Sequence, residues 1–405
     1  MFQIYLVSAH GHRRIPEFLA GPDVRITLIC CSHNVLKKSD FVDEVIVISD
    51  HKRCETFISK FLKNRELIES LDGWILFSGD EEMYQIANSN LSTELKLKLL
   101  PVRNANALKI LGSKSGMVEL ANETGIKMPR SLTANSHEEL LEHAKTYASA
   151  FLVKGSRGSG GTSVKKFETV TSLVNDPIPE EWFPVIIQEF VEGNERSIEA
   201  LFNNGKLLAW MYADQIVYLR NKIGPTSSRR YRTPPLMDFH DVLIKFGEVT
   251  KAHGFGSMAF MYSIKDKQHY LVEADLRTND WLNFGRIFGI NWTEVMRANS
   301  PQSEKYPHIL SEDGFYIRMW QREMEQALYD HDWRLAYSLL KIKRSDRHPH
   351  IYQDVSVNRA LKLRLFRLLP LALAKTALAL LPKSVERKLR ERGIASKIGS
   401  QIAGG

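Results

Sequence analysis

The stretch that most constrains this chain runs from Phe151 to Val164. An apolar run ends in Lys154, passes into a glycine- and serine-rich segment, Gly155–Gly161, and returns to apolar residues. We predict two β-strands joined by a flexible flap, because glycine accepts backbone conformations that other residues avoid. Glycines also let backbone N–H groups close on a phosphate chain. By itself the stretch fits an inert hairpin turn as well as a nucleotide flap.

This glycine-rich flap (Gly155–Gly161) is not a Walker-type phosphate loop. That motif places Lys and then Ser or Thr after its last glycine and opens a helix. Here Thr162 follows Gly161, and the β-type run Val164–Phe167 comes next. Other motifs in the chain must therefore decide what the flap does.

Length and cysteine content set the first bounds. A chain of 405 residues is expected to form two to three domains of about 100 to 200 residues each. Cys30, Cys31 and Cys54 are too few for a disulfide framework and lack metal-ligand spacing, which is typical of a reducing compartment. The N-terminus shows neither a basic region nor a long apolar region of a signal peptide, so we predict a cytoplasmic protein.

The net charge of +8 indicates an anionic partner, and nucleotides, acidic lipids and nucleic acids all qualify. We find no recognition-helix, zinc or base-stacking pattern, and so expect no nucleic-acid partner.

The first hundred residues alternate strand and helix patterns. The strand-like runs are Phe2–Val7, Val24–Cys31, Val42–Ser49 and Gly73–Phe77, with a helical segment at Cys54–Ser70. This alternation predicts a small parallel sheet with crossover helices. Asp80 and Glu81 follow the fourth strand, where such sheets often bind ligands. We favour a helix cap as the role of Asp80.

The middle of the chain carries a different set of elements. In order they are a helix at Met117–Thr124, the Lys154 strand with its flap, a buried strand at Val185–Gly193, a hairpin across Asn203–Gly205, a basic loop at Arg220–Pro235, a helix at Asp238–His253, and a hairpin formed by Ser257–Ile264 and His269–Glu273.

Four motifs in this order resemble those of the ATP-grasp superfamily. They are Lys114 before a helix, Lys154 with its flap, the hinge strand Gln188–Glu195, and the metal motif Glu273–Arg277, which is similar to the family's Glu-x-Asn-x-Arg. Each one is weak alone, and the four together carry the resemblance from about Leu108 to Trp292.

The resemblance implies a mixed α/β and α+β fold with four parts. We expect a Rossmann-like pre-ATP-grasp domain over residues 1–105 and a first ATP-grasp subdomain with the flap over 106–190. A second subdomain with the metal motif would span 191–310, and a helical, basic extension 311–405.

The resemblance also implies a site for ATP and Mg²⁺. The residues expected to bind ATP are Lys114, Lys154, Ser159, Gly160, Gly161, Gln188, Glu189, Val191 and Glu195. Glu273 and Asp275 would bind the metal, with Arg277 meeting the γ-phosphate or the intermediate. From the basic loop, we select Arg220 and Arg232 as further catalytic residues, because arginine binds anions with two hydrogen bonds.

Two positions depart from the family pattern. Asp275 stands where an amide is usual, and it remains a good hard-oxygen ligand for Mg²⁺. A further acid is expected on the preceding strand near Ala259 or Phe260, and neither residue binds metal. The departure leaves a second Mg²⁺ and full activity open.

The expected function is that of an ATP-dependent carboxylate–amine ligase that forms an amide or peptide-like bond through an acyl phosphate. Small-molecule carboxylates and amines would be the substrates. The alternative is a catalytically impaired ATP-binding protein that acts as a binding or membrane-surface partner.

The last segment of the chain is apolar and basic. The run Leu361–Pro382 is interrupted by lysine and arginine, and its clean part is shorter than the ~20 residues that cross a bilayer. With the basic residues up to Lys397 it resembles an interfacial anchor for the inner face of a membrane. A helix pair packed on this protein or on a second subunit of a homodimer remains open.

Overall fold

The computed structural model describes residues 1–9, 15–50, 53–158, 161–218, 226–232, 237–299, 315–341, 369–370 and 372–373. The chain divides into two compact units, Met1–Tyr316 and Ile317–Gly405. The four-part division within these units stays a prediction.

A four-stranded parallel sheet begins the first unit. Its strands are β1 (Phe2–Ser8), β2 (Val24–Cys31), β3 (Glu44–Ser49) and β4 (Trp74–Phe77), in the order β3-β2-β1-β4. The helices are α1 (Ile15–Leu19), α2 (Cys54–Lys63), α3 (Arg65–Ser70), α4 (Asp80–Ala87) and α5 (Thr93–Leu99). The predicted parallel sheet with helical connections is confirmed.

The segment predicted as one helix over Cys54–Ser70 consists of two. Asn64 ends α2 and its side chain accepts a hydrogen bond from the amide of Leu67, which caps α3. Asparagine favours caps over helix interiors because its side chain competes for backbone groups. Phe57 and Phe61 on α2 and Ile68 on α3 are buried.

A second sheet carries the flap. It is antiparallel and contains β5 (Ser131–Ala134), β6 (Phe151–Gly155), β7 (Val164–Phe167) and β8 (Val185–Glu189), in the order β5-β8-β6-β7. Its helices are α6 (Lys114–Thr124), α7 (His137–Ala144) and α8 (Val170–Asn175). The pairing of Lys154 with Val164 confirms the predicted hairpin around the flap.

The third sheet is antiparallel, and its five strands within the first unit follow the order β13-β12-β9-β10-β11. They are β9 (Gly193–Asn203), β10 (Lys206–Tyr218), β11 (Thr226–Tyr231), β12 (Gly254–Ser263) and β13 (His269–Asp275), with α9 (Met237–Thr250) and α10 (Trp292–Ala298) beside them. Asn204 and Gly205 both have positive φ, as a tight turn between β9 and β10 requires.

The prediction of a continuous loop over Arg220–Pro235 is wrong for its centre. Thr226–Tyr231 is strand β11, paired antiparallel with the end of β10. The run is polar, so its sequence lacks the alternation of a half-buried strand. It is nevertheless buried, because Arg229 finds a carboxylate on β9 as partner.

The second unit contains helices α11 (Trp320–Tyr329) and α12 (Trp333–Leu340), and a short strand, β14 (Phe315–Arg318), spans the boundary between the units. The extension predicted to be helical over 311–405 thus includes a strand at Phe315–Arg318. Met324, Leu328 and Leu339 are buried within the unit. Most of Leu361–Lys397 lies outside the described residues. Among the described helices, none has the length and apolarity needed to span a membrane.

Candidate functional site

One face of the third sheet gathers acidic side chains from two strands. Glu195 and Glu199 alternate on β9 and therefore point to the same side. The register pairs Glu199 with Ser257 of β12, and Ser257 with Asp275 of β13. Because directly paired residues project to one side of a sheet, Glu273 and Asp275 share this face.

Lys154 projects from the second sheet towards the same charges. Its Nζ donates a 2.7 Å hydrogen bond to Oε1 of Gln188. Burial, with a smaller contribution from the charge of Lys114, lowers the pKa of Lys154 to about 8, whereas Glu273 and Glu195 act to raise it. These three groups therefore lie close enough to Lys154 to change its protonation.

Lys114 is the first residue of α6, whose N-terminus is capped by Ser113. Its Nζ donates to the carbonyl O of Gly158 at 2.8 Å and lies 3.5 Å from Oε1 of Glu273. The Lys114 amide donates to the carbonyl O of Ser156. Lys114 thus joins the flap to the metal motif.

Glu195 lies on β9 beside β10. Its Oε1 accepts a 2.7 Å hydrogen bond from Nε2 of Gln215. Burial raises the pKa of Glu195, while a hydrogen bond from Tyr218 and the charges of Lys154 and Arg229 oppose that rise. The ribose role assigned to Glu195 stays a prediction.

The hinge strand Gln188–Glu195 covers the end of β8, an irregular link and the start of β9. The Gln188 side chain is buried and donates to Oγ of Ser131 at 2.9 Å. Glu189 ends β8 and is exposed, and Val191 is half-buried in the link. Their backbone contacts with adenine remain predictions.

Arg277 binds carboxylates from two parts of the chain. Its Nη2 donates to Oδ2 of Asp275 at 2.5 Å, and its Nε lies 2.6 Å from both carboxylate oxygens of Asp80. The expected cap at Asp80 is wrong, because Gly79 is the N-cap of α4 and no side chain caps it. Burial raises the pKa of Asp275, and its pair with Arg277 opposes the rise.

Other predicted residues separate from this cluster. Nε of Arg232, the residue after β11, lies 2.8 Å from Oδ2 of Asp214. Asp214 pairs with Arg196, which follows Glu195 along β9 and so points to the opposite side. Gly161, the last residue of the flap, has a positive φ. Arg220, Ser159 and Gly160 lie outside the described residues, so their roles stay predictions.

The sequence did not single out the buried pair of Glu199 and Arg229. Nη1 of Arg229 donates to Oε1 of Glu199 at 2.7 Å, and its guanidinium lies 4.2 Å from the ring centroid of Trp281. Glu199 is fully buried. The available signal was an acid inside the otherwise apolar run Ser197–Phe202.

Ala259 pairs directly with Glu273, so an acid there would have pointed at the metal motif. Among the described residues, no three His, Cys, Asp or Glu side chains form a metal cluster. Two carboxylates still suit Mg²⁺, which commonly takes one or two from the protein and completes its shell with phosphate oxygens and water. Glu273 is 43% exposed and so accessible to an ion.

Part of this chain is similar in sequence to a known protein family. Residues 112–246 match the family model described as ATP-grasp domain. Residues 112–246 therefore carry the sequence pattern of an ATP-grasp domain. The matched region includes Lys114, Lys154 and the hinge strand, while the metal motif Glu273–Arg277 lies beyond it.

Individual proteins show the same kinship. The chain is 24% identical over 225 residues to phosphoribosylamine–glycine ligase of Thermotoga maritima, covering 51% of this chain and 55% of that protein. The chain thus matches about half the length of this curated relative.

Two solved structures share the fold. The biotin carboxylase domain of Hydrogenobacter thermophilus 2-oxoglutarate carboxylase, a dimer in complex with MgADP, ADP and bicarbonate, has a TM-score of 0.58 at 13% identity, covering 87% of this chain and 98% of that one. The L-amino acid ligase of Bacillus licheniformis has a TM-score of 0.52 at 13% identity, covering 76% and 77%. The predicted mixed α/β and α+β fold class is confirmed.

Proposed function

We propose that this ATP-grasp protein is an ATP-dependent carboxylate–amine ligase with Mg²⁺ as its metal. The observation that carries the proposal is the meeting of Lys114, Lys154 and Glu273 beside the flap: Lys114 lies 3.5 Å from Glu273, and the charges of both act on Lys154. Two lysines and an accessible carboxylate together match a polyphosphate that carries a bound cation.

The reaction proposed for this site has two steps. A carboxylate oxygen of the acid attacks the γ-phosphorus of ATP, the bond to the β-phosphate oxygen breaks, and ADP leaves. The amine nitrogen of the second substrate then attacks the acyl carbon, phosphate leaves, and the nitrogen loses a proton to give the amide.

This chemistry needs no protein nucleophile. Lys114 and Lys154 would neutralise the phosphate chain, and Arg277 would stabilise the negative charge of the transferring group and of the tetrahedral species. Glu273 and Asp275 would hold Mg²⁺, which supplies charge neutralisation at the phosphates.

The test is release of ADP and phosphate from ATP by the purified chain, screened against panels of carboxylic acids and amines. Lys154→Ala and Glu273→Ala should lower turnover by about 100-fold or more, since each removes stabilisation of the phosphoryl group. Lys165→Ala is the matched control, because Lys165 lies on the neighbouring strand β7 and pairs with Asp176. Full activity in both site variants would contradict the assignment.

An impaired ATP-binding protein is the second candidate function, favoured by Ala259 opposite Glu273. Its signature is tight binding of ATP without turnover in any pairing of acids and amines. The same screen, combined with calorimetric titration of ATP, separates it from the ligase.

We also propose peripheral contact with anionic membrane. Residues 361–405 contain ten Lys and Arg but only two Asp and Glu, which gives this segment a net charge of +8. The whole chain also has a net charge of +8, so the charges of residues 1–360 sum to zero. Leu369 and Leu373 in this segment are exposed, as are Tyr337 and Leu340 of the second unit. Apolar and basic side chains together favour a charged lipid surface.

Liposome flotation tests this contact. Full-length protein should float with vesicles of mixed anionic and neutral lipid and dissociate at high salt, whereas a chain lacking residues 361–405 should stay below. Equal flotation of both forms would remove the anchor hypothesis.

A dimer, the state named for the biotin carboxylase relative, would appear as a doubled mass in light scattering.

A further inference from the structure

Asp80 fixes the direction of Arg277 across a separation of 197 residues. Asp80 begins α4, three residues after the end of β4, and both of its oxygens lie 2.6 Å from Nε of Arg277. The neighbouring Thr278 donates twice to the carbonyl O of Phe77, from its amide and its hydroxyl. The end of β4 and the metal motif are thus held together by one ion pair and two hydrogen bonds.

The hydrogen bonds of Arg277 show which of its N–H donors remain available to a ligand. A guanidinium has five N–H donors in a planar fork. Asp80 takes the Nε donor and Asp275 takes one Nη2 donor. Three N–H groups then remain, and in the described part of the chain Arg277 makes no further side-chain hydrogen bond. These are the donors that a phosphoryl or acyl oxygen would accept.

Asp275 is both a partner of Arg277 and a carboxylate of the metal motif. Only its Oδ2 is bound by Arg277. Without Asp80, the guanidinium would be free to turn and bind both oxygens of Asp275, since two parallel N–H bonds to one carboxylate are its strongest geometry. That turn would remove a metal ligand.

We propose that Asp80 is a positioning residue that keeps Arg277 from closing on the magnesium carboxylates. It holds Nε from the side of the parallel sheet, so that one oxygen of Asp275 stays open to the cation. This role rests on the proposed function of Glu273 and Asp275 as the metal site, and it assigns Asp80 a part that the ATP-grasp motifs of this chain did not indicate.

The test is a Mg²⁺ titration of ADP-saturated protein by calorimetry. Asp80→Asn should raise the apparent Kd for Mg²⁺ by about 10- to 100-fold, the range for partners that orient metal ligands. Binding of metal-free ADP should change less than about twofold. Asp80→Glu, which retains the charge, should recover part of the affinity.

The decisive comparison uses Arg277→Gln as background. Removing the guanidinium removes the competitor, so Asp80→Asn should have no effect on Mg²⁺ affinity in that background. An equal loss in both backgrounds would show a merely structural role and overturn the proposal. The neutral double variant also covers the case in which Asp80→Asn alone fails to fold.

Two further measurements separate this proposal from the ligase assignment. Glu94→Gln removes an exposed acid from the first turn of α5 and should leave Mg²⁺ affinity unchanged. Mn²⁺ titration followed by electron paramagnetic resonance, without nucleotide, reports on the carboxylates alone. Protein that binds Mn²⁺ in an Asp80-dependent way but never binds ADP would refute the ligase and retain the positioning role. Wild-type affinity in Asp80→Asn would refute the positioning role.

Discussion

Glu199 and Arg229 form an ion pair with a 2.7 Å contact in which the carboxylate is fully buried. Ser257 and Asn279 also donate to Oε1 of Glu199, at 3.4 and 3.3 Å. Among the described residues, Oε2 of Glu199 has no hydrogen-bond partner. Within the described part of the chain, the hydrogen bonds that compensate for burying the Glu199 charge are therefore all made to Oε1.

Removal of Arg229 should therefore destabilise the protein strongly. Arg229→Met leaves a buried carboxylate without its cation, and we expect a loss of about 3 to 5 kcal/mol in the free energy of unfolding. The double variant Glu199→Met with Arg229→Met should recover much of this loss, because two apolar side chains replace two charges. Urea denaturation followed by tryptophan fluorescence measures both. A loss in the double variant equal to or greater than that of Arg229→Met would contradict the account.

Nucleotide binding should depend on pH through Lys154. Burial holds the pKa of Lys154 at about 8, so the side chain is mostly charged at pH 7 and mostly neutral at pH 9. Since the phosphates attract the charged form, the Kd for MgADP should rise several-fold across this range.

Lys154→Arg is the control for this dependence. Its guanidinium stays charged at pH 9, so the rise in Kd should be absent, and ionisation of the nucleotide itself is the same in both proteins. Identical pH profiles for wild type and Lys154→Arg would show that another group is responsible.

The stability of the first unit should fall in mild acid because of His253. This side chain stacks on Trp74 with ring centroids 4.3 Å apart, and its Nδ1 lies 2.8 Å from Oδ1 of Asn203. Burial, with a smaller effect of Arg103, lowers its pKa to about 3. Between pH 6.5 and 3 the unfolded chain binds a proton that the folded chain excludes, so stability is lost as pH falls.

The expected size follows from the two pKa values. From pH 7 to pH 5, wild type should lose about 2 kcal/mol more than His253→Phe, which keeps an aromatic ring beside Trp74. Denaturant titrations at the two pH values measure the difference. His33→Gln, which removes an exposed histidine, should follow wild type. Equal losses in wild type and His253→Phe would contradict the assignment.

Ala259→Glu should strengthen the metal site. The residue pairs with Glu273 across β12 and β13, so the new carboxylate would face the metal motif. Mg²⁺ should then saturate at a several-fold lower concentration in the presence of ADP. Without metal, the variant should melt lower than wild type, because like charges directly opposite on a sheet repel.

Ala259→Gln provides the control for Ala259→Glu. It adds similar volume without charge and should show neither the gain in Mg²⁺ affinity nor the metal-dependent rise in melting temperature. If Ala259→Glu and Ala259→Gln behave alike in both measurements, the position does not face the cation.

The sequence by itself determined the elements whose signals are local. The flap between β6 and β7 follows from its glycines, and the parallel sheet follows from short apolar runs spaced by helical segments. Lys154 and Glu273 could be selected because each lies in a motif a few residues long. These features depend on residues that are close together in the sequence, so they can be predicted without knowing which distant residues they contact.

Only the tertiary structure decided which charges meet. Asp80 has the features of a helix cap in the sequence, yet its partner is Arg277, and Thr226–Tyr231 is a strand because Arg229 finds Glu199 on β9. A buried charge must be compensated by an opposite charge or hydrogen bonds, and that partner can come from any part of the chain. Which charges pair therefore depends on which helices and strands pack together in the fold. The spacing of residues along the chain does not reveal this packing.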